Sequence, residues 1–97
     1  MALFLIEHHH TAETCPTNNP EMVRALRAHV TPENATNMGI TLLADWANDA
    51  EHKVVLVVDS DTLAKADNFA APFRMVGTVS IEVGGTCEDV AKECLGE

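Results

Sequence analysis

Ninety-seven residues, 46% of them apolar and 22% charged, set a single domain over residues 1–97 and exclude both a disordered chain and a two-domain protein. Fifteen acidic residues against six basic ones leave a formal charge of -9. That charge repels phosphate backbones and anionic bilayers, which argues against nucleic acid and membrane surfaces as partners.

The apolar opening of the chain is cut short at Glu7 without a basic lead, and no run approaches the roughly 20 apolar residues of a membrane span. A cytoplasmic protein is therefore expected. Cys15, Cys87 and Cys94 are an odd number of thiols at irregular spacing. They fit neither a secreted disulfide framework nor paired zinc hooks, so at least one thiol is expected to be free.

Residues 2–10 read as a first strand, with Phe4, Ile6, His8 and His10 on one face and Leu3, Leu5, Glu7 and His9 on the other. A polar loop with Pro16 follows. Asn19-Pro20-Glu21 is then a helix start, with a cap, proline in the first turn and an acid behind it, and Met22, Val23, Leu26 and Val30 recur at helical spacing. This first helix is expected over residues 20–30, with Thr31-Pro32-Glu33 interrupting it. Residues 40–46 alternate as a second strand that places Ile40, Leu42, Ala44 and Trp46 on one face. A polar hairpin over residues 48–51 leads to a third strand over residues 53–58.

Val54-Val55-Leu56-Val57-Val58 is apolar on both side-chain faces, and its β-branching favours strand over helix. Ser60-Asp61-Thr62 caps a second helix carrying Leu63, Ala66, Phe69, Ala70 and Phe73, with Pro72 ending its regular part. Residues 78–83 form a fourth strand, and Thr86-Cys87-Glu88-Asp89 resembles a capping box that opens a short final helix.

The order strand, helix, strand, strand, helix, strand predicts an α+β, ferredoxin-like sandwich with a four-stranded antiparallel sheet, a short C-terminal helix and strands one and three running parallel at its centre. Two helices cover one face. The doubly apolar third strand needs cover on the other, and a second copy of the chain supplies it, so a homodimer is expected. Residues 39–84, GITLLADWANDAEHKVVLVVDSDTLAKADNFAAPFRMVGTVSIEVG, resemble the dimeric α/β-barrel proteins in their hairpin, helix ending in Ala71-Pro72-Phe73, and Val-rich strand. The resemblance implies the fold. It leaves activity open, because that superfamily includes monooxygenases, haem-degrading enzymes, isomerases and metal-responsive proteins. Haem degradation is disfavoured, since residues 61–71 lack the histidine that the resemblance would require on the second helix.

The strongest chemical constellation is His8, His10 and Cys15. Residues two apart on a strand lie about 6.6 Å apart and point the same way. Two imidazoles can thus converge on a zinc, nickel or copper ion, and Cys15 folds back to add a thiolate. A weaker pairing joins His52 with Cys87, which also sits near a helix start in a position that favours a reactive thiol. Asp59 and Asp61 are placed near the same end of the sheet as His10. Cys94 reads as a buried thiol and Trp46 as a core aromatic. His29 is left out of the site. Two functions follow: a metal-binding protein that senses, buffers or sequesters a transition ion, and a binding module or enzyme, monooxygenase-like or isomerase-like. The second would hold a small apolar ligand between the sheets of the dimer, walled by Phe4, Ile6, Leu42 or Trp46.

Overall fold

Residues 2–97 are described in the computed structural model. The first strand, β1 (Ala2–His9), runs through the apolar opening, and a single 3-10 turn spans Pro16–Asn18. Helix α1 (Pro20–His29) begins where expected, because the Asn19 side chain accepts from the backbone N–H groups of Glu21 and Met22 at 3.1 and 3.3 Å. Thr31-Pro32-Glu33 does more than interrupt it. The Thr31 hydroxyl accepts from the Asn34 N–H at 3.1 Å and starts a further helix, α2 (Pro32–Asn37). The remaining elements are β2 (Thr41–Asn48), β3 (Lys53–Ser60), α3 (Leu63–Arg74), β4 (Thr78–Gly84) and α4 (Cys87–Leu95). Pro72 lies inside the last turn of α3, and Thr86 and Asp89 close the capping box at the start of α4.

The molecule is α+β, and its four strands form an antiparallel sheet in the order β2-β3-β1-β4. The central pair corrects one expectation: β1 and β3 are antiparallel, with His9 opposite Lys53 and Ala2 opposite Ser60. A helix crossover from β1 brings β2 back parallel to it, and the tight β2–β3 hairpin then reverses β3. The end of β1 therefore meets the start of β3. Asp59 and Asp61, at or beyond the end of β3, belong to the opposite end of the sheet from His10.

Phe4, Ile6 and His8 point to one face of the sheet with Leu56 and Val58, and there α3 contributes Ala66, Phe69, Ala70 and Phe73 to a buried core completed by Ala35 and Ile40. Leu26 and Val30 of α1 rest on the edge of this core, but no residue of α1 is fully buried. His29 fastens the end of that helix: its Nε2–H donates to the Phe69 carbonyl at 2.6 Å, its ring stacks on Phe69, and its Nδ1 accepts from Asn34 at 3.2 Å.

A β-bulge between Leu42 and Ala44 shifts the register of β2 against β3. It reverses the expected facing of the strand. Leu42 stays opposite Val58 on the core face, whereas Ala44 and Trp46 pair with Val57 and Val55 on the other. Trp46 is accordingly 51% exposed and is not a core aromatic. Leu3, Leu5, Val55 and Val57 share that second face and are only half-buried. Every residue of α4 is exposed, including Cys94, which corrects its expected burial. The molecule extends 49 × 28 × 18 Å.

Candidate metal centre and adjoining cavity

Sheet register decides which histidines meet. Because His9 pairs with Lys53, the next residue, His10, lies beside the residue preceding β3, His52. The His10 N–H donates to the His52 carbonyl at 3.1 Å, and the two rings stand edge to face with centroids 5.2 Å apart. His52 adopts φ 52°, the left-handed conformation that ends many hairpin loops and that glycine or asparagine adopts most readily. The loop is held by the His52 N–H donating to the Asp49 carbonyl at 3.2 Å and the Glu51 N–H donating to Asn48 Oδ1 at 3.1 Å.

Cys15 reaches the same place because residues 11–19 fold back on themselves. Thr11 and Thr14 bond reciprocally through backbone and hydroxyl groups, Asn18 Nδ2 donates to the Ala12 carbonyl at 3.0 Å, and the Asn18 N–H donates to the Cys15 carbonyl at 3.1 Å. The thiol is buried, with Thr17 Oγ1 2.9 Å from its sulfur and Asp49 Oδ1 at 3.9 Å. His10, Cys15 and His52 each offer one ligand atom, and those atoms all lie within 4.8 Å of one another. A tetrahedral zinc with ordinary bond lengths separates its donors by about 3.3–3.8 Å, so the group closes on an ion by small side-chain rotations.

The nitrogens at this site are not otherwise occupied. Both ring nitrogens of His10 and Nδ1 of His52 are shut off from water with no hydrogen-bond partner among the described residues, and those of His8 are shut off from water with only the backbone carbonyls of Phe73 and Val76 near them. Buried polar atoms are nearly always paired, so such a concentration is unusual and leaves these nitrogens available to a ligand. Burial, followed by repulsion from His10, pulls the His8 imidazole below its ordinary pKa, with the backbone carbonyls of Val76 and Phe73 opposing. Burial and then His52 do the same to His10, with Asp49 opposing. Both shifts favour the neutral ring, the form that binds metals.

His8 stands behind this group, its ring 5.0 Å from those of His10 and Phe73. Gly77 makes the fit tight. A Cβ there would collide with the His9 carbonyl and lie 2.7 Å from His8 Nε2 and 3.1 Å from His10 Cβ. In front of His8 and His10 lies a cavity of about 320 Å³ between the sheet and α1, floored by Val54 and Leu56 and walled by Leu26 and Phe73. It occupies the helix side of one protomer. That differs from the expected pocket between two sheets: Phe4 and Ile6 are core residues, Leu42 packs against the core, and Trp46 alone of the four borders the cavity.

The structure thus gathers His10 and Cys15 with His52, and sets His8 next to them. Cys87 is exposed beyond the Gly84 end of β4, which pairs with Leu3, so it lies at the opposite end of the sheet from His52 and the two do not form a pair. Sequence spacing undervalued His52; the signal available was its position directly before β3. All three cysteines are free.

Comparison with curated proteins and with solved structures returns no match. Residues 2–94 match the model of one family, Domain of unknown function (DUF3303). The match spans nearly the whole chain and includes every residue of the histidine and cysteine group. This protein is a member of the DUF3303 family.

Proposed function

We propose that this protein binds one divalent transition-metal ion of the zinc, nickel or copper class through His10, Cys15 and His52, and that it buffers, sequesters or senses that ion. The supporting observation is the set of water-excluded, unpartnered imidazole nitrogens beside a buried thiol. Two imidazoles and one thiolate suit borderline-soft ions and disfavour magnesium or calcium, which prefer oxygen. Thr17 acts on the sulfur from behind, its hydroxyl donating to a thiolate. Asp49 offsets the remaining charge, since one divalent ion with one thiolate and one carboxylate is neutral. His8 backs the ring of His10 and forms the inner wall of the cavity. The test is uptake by protein stripped with a chelator and titrated with zinc against a competing indicator. One equivalent bound more tightly than micromolar is expected; no uptake, or uptake that survives replacing both His10 and His52 by Ala, overturns the reading.

A second copy of the chain is proposed to cover the open face of the sheet, in the ferredoxin-like, dimeric α/β-barrel manner. Support comes from the half-buried Leu3, Leu5, Val55 and Val57 and the exposed Trp46, an apolar strip of the kind that marks interaction surfaces. Sedimentation equilibrium should find a dimer that Leu5→Glu splits. A monomeric parent protein would remove this reading. Among the described residues no helix is long and apolar enough to cross a membrane. The three free thiols suit a reducing compartment, so the cytoplasm is the proposed location.

A further inference from the structure

We infer that the metal centre and the adjoining cavity form one binding site, which takes a small apolar monocarboxylate with its carboxylate on the ion and its hydrocarbon part against Leu26, Val54, Leu56 and Phe73. This rests on the metal reading and adds to it a ligand class. The ion-binding group has three members among the described residues, so a tetrahedral ion keeps one position for an external donor. His10 belongs both to that group and to the cavity wall, which sets the open position beside the cavity.

Size, polarity and charge narrow the occupant. A volume of about 320 Å³ is at the lower end of small-molecule pockets. An occupant of about ten non-hydrogen atoms fits. The walls named above are aliphatic or aromatic, so they reward a hydrocarbon body and penalise a second polar group left unpaired. Arg27 and Lys53 also border the cavity, as do Asp45 and Asp49. Asp49 balances the ion and its thiolate, so Arg27 and Lys53 against Asp45 leave the site one positive charge in excess, which a single carboxylate neutralises. A neutral hydrocarbon leaves that charge unmatched, and a dicarboxylate overshoots it within apolar walls.

Phenylacetate, with ten non-hydrogen atoms and one carboxylate, is the probe. Protein loaded with cobalt(II) is titrated with phenylacetate, acetate and succinate while the cobalt visible spectrum and the heat of binding are followed, and metal-free protein is titrated by calorimetry in the same way. Phenylacetate is expected to change both signals with a Kd at least tenfold below those of acetate and succinate, and at least tenfold below its own Kd for metal-free protein. Val23→Phe, at a 39% exposed residue of α1 that borders the cavity, should weaken phenylacetate at least fivefold with cobalt affinity unchanged; Val54→Phe fills the cavity from the sheet as a second variant. Cobalt binding without a phenylacetate response overturns this inference and leaves the metal reading standing. Equal responses to acetate remove the cavity from the site, and equal affinity for metal-free protein removes the ion. Failure to bind cobalt overturns both readings together.

Discussion

The backbone of His10 and the backbone of His52 are joined by a hydrogen bond of 3.1 Å, so the two imidazoles are positioned by the main chain rather than by contacts of their own. His52 meets this arrangement at φ 52°, in a conformation that a side chain occupies at some cost. The chain carries an imidazole where the backbone would accept glycine.

His52→Gly therefore separates fold from site. Glycine keeps the carbonyl that holds His10 and relieves the left-handed strain, while adding flexibility to the unfolded chain. The two effects oppose each other at about 1 kcal/mol each, so urea midpoints should hardly move. Zinc affinity should fall roughly hundredfold, as expected for one lost ligand of a few. A large loss of stability with affinity retained would mean that the ring serves only the turn.

Thr17→Val tests the support behind the thiol. Thr17 is exposed apart from its approach to Cys15, so the fold should tolerate the change. Loss of an outer hydrogen bond to a ligand costs about 10–100-fold in metal affinity. Competition with a zinc indicator reads that shift, and Cys15→Ser gives the larger reference loss.

Gly77→Ala should destabilise the protein by about 1–3 kcal/mol, the usual range for overpacking. The added methyl meets the His9 carbonyl and His8 Nε2, so the last residues of β1 must shift. Chemical denaturation measures the loss. Because His10 moves with them, zinc affinity should drop in the same variant.

Stability should fall with acid in a window set by His8 and His10. Both imidazoles sit below their ordinary value of 6.5 when folded, burial being the first cause for each. As pH falls through 6.5 the unfolded chain takes up protons that the folded protein refuses, so stability present above 6.5 is lost until the lowered folded values are passed. Urea denaturation of metal-free protein at pH 7.5, 6.5 and 5.5 should show this decline. His8→Leu should reduce it, leaving the contribution of His10, because it removes one of the two buried imidazoles. An unchanged pH slope in that variant would refute the assignment.

Much of the architecture follows from local patterns. Asn19-Pro20-Glu21, Thr62 and the Thr86–Asp89 box start helices where their side chains could be read to do so. Thr31-Pro32-Glu33 carries the same signature as Asn19-Pro20-Glu21, and α2 was hidden only because it is a short helix directly behind another. The bulge at Leu42/Ala44 has no such signature: alternation continues through it, and only pairing with β3 reveals that Trp46 has changed face. For the site, the His8 and His10 spacing marked the correct strand end. A parallel arrangement of strands one and three separates His52 from that end, whereas a right-handed crossover to β2 followed by a hairpin requires the two strands to oppose and sets His52 beside His10.

Helix α4 has its own consequence. Nine residues are too few to hold a helix in water by propensity alone, and this one has no buried residue to anchor it. Its thermodynamic fate is uncoupled from that of the sheet: amide protons over Cys87–Leu95 should exchange with solvent orders of magnitude faster than those of β1 and β3. Heating should melt this segment first, before the rest of the protein loses any order.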